Sequence, residues 1–399
     1  MNKVLKDSTK KVQSLLFVMT SMGTGGIQTA LRNLIAEIAT LPQFHITILL
    51  FDKTNLKPDD FPSNVSIADA GEIPRVIALS TRQILSKSFY LLINRLIAGF
   101  LAKYVSQKYA YKFLFRKIKI EHSWDVAISF AQTSAKSLYG GMNEFVLDCV
   151  CANKKIAFIH CDFVAMNLNN AYSLNVYNKF DRIALVSFSL KNMFDKAMPS
   201  LKNKTCVVYN CHDFKKIGSL SEENPVNYQT GCKNFISVSR ISPEKGLSRV
   251  LPAIRRLKDA GFKFVWTIVG GGNKKNVVAF NKMVKHLNIE SFVHCVGNQD
   301  NPYRYMKNAD MLLVPSYHEA APMVFQEAEL LHLPVLCTRT CSANELVEER
   351  QIGMVCDNTS QAIYEKMLNV LEGKILGTFS FSEIMSNDLA IKQFIDILQ

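Results

Sequence analysis

Short apolar segments alternate with helix-length amphipathic segments along most of the chain, and this alternation limits the possible folds more than any other feature. The apolar segments have strand length and lack the ~20 residues that a membrane span needs. The predicted strands cover residues 12–19, 45–51, 126–130, 156–160, 183–187 and 206–210, and then 235–239, 264–269, 292–296, 311–315 and 335–338. The pattern predicts an α/β protein in which helices cover parallel sheets.

A polar stretch with the sequence GSLSEENPVNYQTGCK separates the two series of predicted strands. A chain of 399 residues is expected to form two domains, and such a stretch is typical of a linker. The predicted organisation is a first domain over 1–212, a linker over 213–232, a second domain over 233–375 and, within 376–399, a C-terminal helix that packs back on the first domain. Two α/β halves favour an enzyme that binds ligands at the carboxyl ends of its strands.

Charge and cysteine content narrow the class of protein. The formal net charge of +13 indicates a basic surface that attracts anions such as phosphate or acidic lipid headgroups. The ten cysteines include no CxxC pair, which favours reduced thiols in a cytoplasmic protein over a zinc site or a disulfide framework. The apolar stretch VQSLLFVM runs into TSMGTGG without a cleavage pattern, so we interpret it as a first strand rather than a signal peptide.

The segment 73–120 contains ten Lys and Arg residues, no Asp or Glu, and eight aromatic residues. This composition predicts an amphipathic segment at the surface of the cytoplasmic membrane, which makes the protein peripheral to it. The alternative is a set of core-packed helices with a solvated basic face. RNA binding is less favoured, and no nucleic-acid partner is expected, because no nucleic-acid motif accompanies the charge.

The sequence HEAAPMVFQEAE carries Glu319 and Glu327 on either side of Pro322, directly after an apolar segment. Proline favours the first turn of a helix, so we expect Glu319 in a loop and Glu327 within the helix that follows. The N-terminus of a helix binds phosphate, whereas carboxylates accept hydrogen bonds from hydroxyl groups. The pattern therefore predicts a site for a nucleotide or a sugar phosphate, although two glutamates at this spacing are also common on solvated helices.

Two further stretches follow predicted strands and favour anion binding. SRISPEKG places Arg240 and Lys245 after a strand, where two cations are suited to a diphosphate, and SMGTGG places Gly25 and Gly26 before a helix, where backbone can approach a ligand. Alone, SRISPEKG is better explained by a surface loop with two solvated charges, and SMGTGG is equally well explained by a structural turn. SMGTGG lacks both the dinucleotide spacing and the Gly-Lys-Ser/Thr of a P-loop.

Together these motifs resemble the retaining glycosyltransferase family 4 of bacterial surface-polysaccharide synthesis. The resemblance also rests on WTIVGGGN, VHCVGNQDNPYRYMKNADMLLVPS, LHLPVLCT and SANELVEERQIGMV, and it covers roughly residues 12–358. GGIQTALRNLI and KKIAFIHCDF look like the family's first loop and its acceptor-domain histidine segment. The resemblance implies the GT-B fold, with two Rossmann-like domains whose parallel sheets face a central cleft.

The resemblance implies a role for each matched residue. Arg240 and Lys245 would hold the donor diphosphate, while Glu319 would face the donor sugar. Glu327 would accept hydrogen bonds from the ribose. The backbone of the stretch before the helix would meet the phosphate, Gly25 and Gly26 would approach the diphosphate, His160 would lie near the transferred sugar, and the loop after the 292–296 strand would help to read the base. The residues of that stretch and loop are Ala321, Pro322, Met323, Val324, Val296 and Gly297.

The implied function is a retaining hexosyltransferase that moves a sugar from a nucleotide-diphosphate sugar to a glycan or lipid-linked acceptor in capsule, exopolysaccharide or lipopolysaccharide synthesis. A UDP-sugar is favoured over a GDP-sugar, and neither a metal nor a cofactor is expected. The alternatives are a nucleotide-sugar 2-epimerase on the same fold and a non-catalytic protein that binds glycan or phospholipid. Cys211, His212 and Ala320 depart from the family pattern, and Ala320 raises the question whether that position needs a positive φ.

Overall fold

Two parallel sheets form the framework of the chain. The structure, a computed structural model, describes residues 12–23, 25–132, 138, 140–374 and 379–399. The chain divides into two compact units. Unit 1 comprises Met1–Cys211 and Asn387–Gln399, and unit 2 comprises His212–Ser386. Residue 375 of the predicted second domain and residues 376–378 of the predicted C-terminal segment lie outside the described residues.

Unit 1 contains a seven-stranded parallel sheet in the order β3-β2-β1-β4-β5-β6-β7. Its strands are β1 (Gln13–Ser21), β2 (Phe44–Asp52), β3 (Ser66–Asp69), β4 (Ile120–Ser129), β5 (Val150–Ile159), β6 (Arg182–Leu185) and β7 (Thr205–Val207). Its helices are α1 (Gly26–Ile38), α2 (Arg75–Ala78), α3 (Thr81–Leu85), α4 (Phe89–Tyr104), α5 (Gln107–Phe115), α6 (Met142–Cys149), α7 (Ala171–Tyr177) and α8 (Phe188–Ala197), with a 3-10 helix at Pro199–Lys204.

Unit 2 contains a six-stranded parallel sheet in the order β10-β9-β8-β11-β12-β13. Its strands are β8 (Lys233–Val238), β9 (Phe264–Val269), β10 (Val293–Gly297), β11 (Met311–Val314), β12 (Val335–Thr338) and β13 (Gly353–Cys356). Its helices are α9 (Phe214–Glu222), α10 (Leu251–Asp259), α11 (Lys274–His286), α12 (Tyr303–Met306), α13 (Met323–Leu330) and α14 (Ser360–Leu371), with 3-10 helices at Pro243–Lys245 and Leu247–Val250 and a π-helical turn at Asn344–Glu348. Neighbouring residues of β8, Phe235 and Ile236, belong to separate apolar clusters, as expected for a strand covered on both faces.

All eleven predicted strands are present, with ends displaced by up to six residues. The prediction missed β3 and β13, because their apolar runs have only two and three residues and are shorter than the four to eight typical of a buried strand. It also placed His160 at the end of the fourth predicted strand, 156–160, whereas the corresponding strand β5 ends at Ile159 and His160 follows it.

The predicted linker 213–232 contains helix α9. Asp213 caps this helix by accepting a hydrogen bond from the Lys216 N–H at 3.0 Å, and Asn301 donates from its Nδ2 to the Leu220 carbonyl at 2.7 Å. The polar composition of this stretch gave no indication of α9, which is an amphipathic helix with its own N-cap. The description of the whole stretch as a linker was therefore wrong. The helix belongs to unit 2.

The last helix, α15 (Asp388–Leu398), belongs to unit 1 although it follows unit 2 in sequence. Phe394 is fully buried and stacks on Phe17 of β1, with ring centroids 5.9 Å apart. Asn387 donates to the Glu37 carboxylate at 2.6 Å, and Gln393 accepts from the Tyr209 N–H at 3.1 Å. The core of unit 1 is therefore built from both ends of the chain.

Helices α4 and α5, within the basic segment 73–120, differ in how they pack. Helix α5 buries Tyr111 and Phe115, and the Phe115 ring meets Phe145 at 5.3 Å. Helix α4 buries mainly Leu91, Asn94 and Ala98, while its bulkier apolar residues remain exposed. Helix α5 is therefore packed into the core, whereas α4 exposes an apolar surface to solvent. None of the helices in the described part of the chain has the length and apolar composition that crossing a bilayer requires.

Candidate active site

The unit 2 sheet reverses its direction of growth between β8 and β11. The chain runs from β8 outward through β9 to β10, and from β11 outward through β12 to β13. At such a reversal the two loops that follow the central strands leave on opposite sides and open a crevice, where ligands of α/β proteins commonly bind. The loop after β8 carries Arg240 and Lys245, and the loop after β11 carries Glu319.

Lys245 and Glu319 form an ion pair although they lie 74 residues apart in sequence. Lys245 Nζ is 2.6 Å from Glu319 Oε1, and Ser316 Oγ donates to the same oxygen at 2.7 Å. Both side chains are largely withdrawn from solvent, with exposed fractions of 24% and 12%. Charge–charge attraction is less screened there than at an open surface. The sequence predicted both residues for the site, but it did not predict that they pair.

Arg240 lies on the same loop and is open to solvent. Its side chain is 69% exposed, and its only ion pair among the described residues is a 3.3 Å contact with Glu244. An exposed pair of this kind contributes little to stability and exchanges readily for another anion. The guanidinium can therefore turn towards a phosphate at small energetic cost.

Gly246 fixes the contact between the β8 and β11 loops. Its φ is +63°, and a Cβ at this position would lie 2.1 Å from the carbonyl oxygen of Pro315. The Tyr317 N–H donates to the Glu244 carbonyl at 2.9 Å, which joins the same two loops. Only glycine permits this approach, because any side chain would collide with the backbone.

The glycine run in WTIVGGGN also has a structural role. Gly270 has a φ of +148°, and a Cβ there would lie 2.0 Å from the Ser239 carbonyl oxygen. The Gly271 N–H donates to Asn298 Oδ1 at 2.6 Å. The run therefore brings the β9 loop against its neighbours at the carboxyl edge of the sheet.

Val296 and Gly297, predicted to help read the base, end β10 at this edge, and the Gly297 carbonyl accepts a hydrogen bond from the Gly270 N–H at 2.8 Å.

Arg249 is a buried cation that the sequence analysis missed. Its Nε and Nη2 donate to the Pro315 carbonyl at 2.9 and 2.6 Å, and Nη2 also donates to Ser316 at 3.1 Å. Nη1 donates to Asn358, and the guanidinium lies 4.1 Å from the centroid of the Tyr317 ring. Burial lowers the pKa of Arg249. The side chain holds the loop that carries Glu319, and its only signal in the sequence was a charge within the apolar stretch GLSRVLPAI.

Helix α13 begins beside these loops. Pro322 is its N-cap residue, so Glu319 precedes the helix and Glu327 lies within it, as the sequence predicted. The first N–H groups of a helix, here those of Met323 and Val324, have no acceptor within the helix and can bind a phosphate. Pro322 belongs to the predicted set of backbone donors but has no N–H, so that part of the prediction was wrong.

Glu327 is buried, and burial raises the pKa of its carboxyl to about 7. The Tyr303 hydroxyl donates a hydrogen bond to this carboxyl, which opposes the rise in the pKa. Tyr303 was quoted for the family resemblance without a role, and the structure adds it to the site. Two residues further along α13, Glu329 forms a bidentate pair with Arg350 at 2.7 and 2.8 Å, which is a structural contact.

Two of the three residues that depart from the family pattern, Ala320 and His212, have structural explanations. The Ala320 φ is not positive and its side chain is buried, so alanine causes no backbone strain there. His212 Nε2 lies 3.2 Å from the Met323 carbonyl oxygen, and its ring stacks on Phe214 at 5.6 Å. His212 therefore connects the start of α9 to the start of α13 within unit 2.

The remaining predicted residues lie in unit 1, whose sheet reverses direction between β1 and β4. Gly25 is the N-cap of α1 and has extended backbone with a φ of 170°, and Gly26 begins the helix directly after β1. A Cβ on Gly25 would meet only the end of the flexible Gln28 side chain, at 2.6 Å. The glycine is therefore not demanded by packing.

His160 follows β5 in unit 1. Its ring lies against Phe130 and Phe158, at 4.8 and 5.7 Å between centroids. Its Nε2 is buried without a hydrogen-bond partner among the described residues, and burial lowers the pKa of the imidazole to about 3. The ring is thus neutral near pH 7 and has one polar atom unsatisfied by the described part of the chain, which is uncommon for a purely structural histidine.

Within the described ranges, no group of three or more His, Cys, Asp and Glu side chains is arranged to hold a metal ion. The predicted site residues of unit 2 lie around the Lys245–Glu319 ion pair and the N-terminus of α13. Those of unit 1 form a separate set at the carboxyl ends of β1 and β5.

Comparison with solved structures identifies the architecture. The chain is similar to the lipopolysaccharide outer core galactosyltransferase WaaB, with a TM-score of 0.60 and 16% identity over 96% of this chain and 99% of that one. Its similarity to HepE from Anabaena in complex with UDP-glucose has a TM-score of 0.60 and 16% identity over 97% and 94%. The similarity to a sucrose-phosphate synthase from Thermosynechococcus elongatus has a TM-score of 0.64 and 14% identity over 97% of this chain and 94% of that one. The fold is GT-B.

Sequence comparison adds a family match, which lies within unit 2, and several relatives. Residues 222–382 match the family model described as Glycosyl transferases group 1. An uncharacterized glycosyltransferase of Methanocaldococcus jannaschii is 29% identical over 41% of this chain and 40% of its own length. The amylovoran biosynthesis glycosyltransferase AmsK of Erwinia amylovora is 29% identical over 35% and 36%. A Campylobacter jejuni enzyme, N-acetylgalactosamine-N,N'-diacetylbacillosaminyl-diphospho-undecaprenol 4-alpha-N-acetylgalactosaminyltransferase, is 26% identical over 59% and 62%. The chain thus spans less than two thirds of the length of these curated relatives.

Proposed function

We propose that the chain is a retaining glycosyltransferase that moves a hexosyl group from a nucleotide-diphosphate sugar to a glycan or lipid-linked acceptor in bacterial surface-polysaccharide synthesis. The observation that carries this proposal is the Lys245–Glu319 pair at the carboxyl ends of β8 and β11. It brings a cation for a diphosphate together with a carboxylate for sugar hydroxyls, next to the start of α13.

The names of similar proteins support the substrate classes. AmsK is named for amylovoran biosynthesis, and the name of the Campylobacter enzyme includes a diphospho-undecaprenol. HepE has been solved with UDP-glucose. These names favour a UDP-sugar donor and a lipid-linked acceptor for this chain. Retention of configuration is proposed from the family resemblance alone.

Donor binding would exchange one ionic contact for another. The diphosphate would take the Lys245 ammonium from Glu319 and draw in the exposed Arg240, so that both cations stabilise the charge that grows on the leaving nucleotide. Glu319 would then accept hydrogen bonds from the sugar while Ser316 still donates to it. The N–H groups at the start of α13 would add to the same electrostatic effect.

Glu327 would receive the ribose hydroxyls. The Tyr303 hydroxyl occupies part of its hydrogen-bonding capacity and leaves the remaining lone pairs for a ligand. Because the pKa of Glu327 is about 7, the carboxylate form that accepts two hydroxyls is about half populated at neutral pH and predominates only above it. Tyr303 therefore acts as a positioning residue.

The roles of Gly25, Gly26 and His160 are proposed from the resemblance. The glycines would let backbone approach the diphosphate, and His160 would interact with the transferred sugar as a neutral imidazole. Its buried, unsatisfied Nε2 supports this role. Val296 and Gly297 would help to select the base. No metal is included in the proposed reaction, because Arg240 and Lys245 would supply the positive charge.

We place the reaction in the cytoplasm. All ten cysteines lie within the described residues and none forms a disulfide, which is typical of a reducing compartment.

The proposal is tested by incubating the purified protein with UDP- and GDP-sugars, with and without membrane extract, and following nucleotide release. Lys245→Ala and Glu319→Ala are compared with Lys282→Ala and Glu290→Ala, two exposed residues of unit 2 that form no ion pair among the described residues. We expect release from one donor, increased by extract, unchanged in the control variants and at least about 100-fold slower in the site variants.

Two results would contradict the proposal. Conversion of a free UDP-sugar to its epimer without an acceptor would identify a 2-epimerase. Donor binding without turnover in any extract, and with equal affinity in the Lys245 and Glu319 variants, would identify a binding protein whose ligand site lies elsewhere.

A further inference from the structure

Helix α4 exposes a continuous apolar face. At about 100° per residue, its exposed apolar positions fall on one side of the helix within about 120°. The α4 stripe consists of Phe89, Ile93, Leu96, Ile97, Phe100 and Tyr104. Three of these side chains, Phe89, Leu96 and Phe100, are exposed to 73%, 61% and 60%. Burial of such a surface is strongly favourable, so a face of this kind indicates a partner.

Exposed apolar residues are concentrated at this helix. Ten of the nineteen exposed large hydrophobic residues among the described residues lie between Leu85 and Tyr109. The helix is fixed in this orientation by Arg95, which donates to the Leu79 carbonyl at 2.7 Å and to Thr81 Oγ1 at 3.1 Å. Asn94 and Ala98 pack on the inner side. The apolar face is therefore held outward by specific contacts.

Positive charge surrounds the α4 stripe. Lys87 precedes the helix, Lys103 lies at its end and Lys108 follows on α5, and all three are exposed. None of them pairs with a carboxylate among the described residues, and the segment 73–120 contains no Asp or Glu. Lys103 Nζ lies 4.8 Å from the Tyr104 ring centroid, at the edge of the stripe.

These features match an anionic bilayer surface. An interfacial helix buries its apolar face about 5–10 Å deep, while lysines at its edges reach the acidic headgroups. At 16 residues α4 is about 24 Å long, which suits a position parallel to the membrane plane rather than across it. A self-associating surface would instead place like charges opposite each other, which costs free energy.

We propose that α4 docks unit 1 on anionic phospholipid, with the α4 stripe in the acyl region and Lys87, Lys103 and Lys108 at the headgroups. This goes beyond the basic composition of 73–120, because it assigns lipid contact to one face of one helix. Helices α2, α3 and α5 contact α4. The proposal does not depend on the chemistry of the glycosyl transfer.

The first test is co-sedimentation with vesicles of phosphatidylcholine, alone or mixed with phosphatidylglycerol. The double variant Leu96→Gln, Phe100→Gln is compared with Val278→Gln, Met283→Gln, which removes two exposed apolar residues from α11. The wild-type protein and the α11 variant should bind the anionic vesicles equally, and the α4 variant should bind at least about tenfold more weakly. Its unfolding temperature should be unchanged, because both side chains are exposed.

The second test separates charge from apolar contact. Lys103→Gln, Lys108→Gln should lower binding about tenfold, and Lys274→Gln, Lys282→Gln should have little effect. Added salt should weaken wild-type binding and change the binding of the Lys103/Lys108 variant less.

A third test reports the depth of insertion. In the Phe100→Trp variant, the fluorescence of the new tryptophan should be quenched by brominated lipid, and its emission should shift to shorter wavelengths on vesicle binding. The fluorescence of the Val278→Trp variant should show neither change. The native Trp124 and Trp266 are buried and give a constant background. Equal vesicle binding by wild type and the α4 variant, or no binding at all, would overturn the proposal. So would equal affinity for neutral and anionic vesicles, or a dimer that the α4 substitutions dissociate.

Discussion

At the scale of single residues, the site depends on contacts that sequence spacing does not reveal. Lys245 and Glu319 were each predicted from a motif, since each follows a strand. Their 2.6 Å contact arises because β8 and β11 are neighbours in the sheet although two other strands separate them in sequence. Arg249 was missed for a related reason, because its acceptors are mainly backbone carbonyls, which have no signature in the sequence.

The buried Glu327 carboxyl lowers the free energy of unfolding at the pH values at which it is ionised. Burial raises its pKa from 4.5 to about 7, so the protonated form is favoured by folding. Its contribution to stability is therefore fully present below pH 4.5 and lost as the pH rises through 7. We expect Glu327→Gln to increase the free energy of unfolding by about 1–3 kcal/mol at pH 8 and to change it little at pH 5.

Denaturant unfolding at the two pH values measures this difference, and donor affinity is measured in parallel. The Gln variant should bind the donor more weakly at pH 8, because the amide replaces one acceptor with a donor. Glu365→Gln on the exposed surface of α14 is the control and should alter neither quantity. Equal stability of wild type and the Glu327 variant at pH 8 would contradict this description of the carboxyl.

Arg249 is expected to be a stability and positioning residue at once. Arg249→Met keeps much of the side-chain volume but leaves the buried Pro315 carbonyl without its donors and removes one of the two donors to the Ser316 carbonyl, the other being Thr338 Oγ1. The free energy of unfolding should fall by about 2–4 kcal/mol, and the donor KM should rise. Arg255→Met, which breaks an exposed pair with Asp259, should cost less than about 1 kcal/mol and leave KM unchanged. An unaltered KM in the Arg249 variant would show that the Glu319 loop does not depend on it.

At the scale of elements, turn chemistry was predictable and packing partners were not. Pro322 correctly separated the Glu319 loop from α13, because proline has a defined position at a helix start. The composition of 73–120 predicted amphipathic structure, but it could not decide which helix packs inward, since α4 and α5 both contain aromatic and basic residues. The short strands β3 and β13 were missed because their apolar runs have only two and three residues.

Gly246 lies where the loop after β8 contacts the loop after β11, and substitution of this glycine tests that contact. Gly246→Ala would place a methyl group 2.1 Å from the Pro315 oxygen and would also strain a φ of +63°. We expect it to lower the free energy of unfolding by about 3 kcal/mol or more and to reduce donor binding. Gly261→Ala has a similar φ of +81° but meets nothing within 4 Å, so it should cost only about 1 kcal/mol. Thermal unfolding with a UDP titration measures both effects, and equal losses in the two variants would contradict the steric argument.

At the scale of the whole molecule, the fold has two units and the chain enters unit 1 twice. The two α/β series were predictable because strands and helices alternate throughout. The assignment of Asn387–Gln399 to unit 1 was an expectation of the sequence analysis, and the structure describes that segment there through the Phe394 contact with Phe17. The boundary itself was less predictable, since α9 appeared in a stretch with a linker's composition.

The C-terminal helix should be necessary for the stability of unit 1. Phe394→Ala removes a fully buried ring that packs on Phe17 and should destabilise unit 1 by about 3–4 kcal/mol. Leu389→Ala on the same helix removes a side chain that is 58% exposed and should change stability by less than about 0.5 kcal/mol. Hydrogen–deuterium exchange should show faster exchange in β1 and β4 for the Phe394 variant only. Protection unchanged in both variants would mean that α15 does not contribute to this core.

The most direct test of the central claim is calorimetric titration of the protein with UDP, GDP and UMP. The account predicts that Lys245 contacts the diphosphate, so Lys245→Gln should weaken binding of the preferred nucleoside diphosphate about 10–100-fold and weaken binding of UMP much less. Lys282→Gln on α11 should bind like the wild-type protein. If no nucleoside diphosphate binds, or if Lys245→Gln binds it as tightly as the wild type, the crevice at the ends of β8 and β11 is not the donor site.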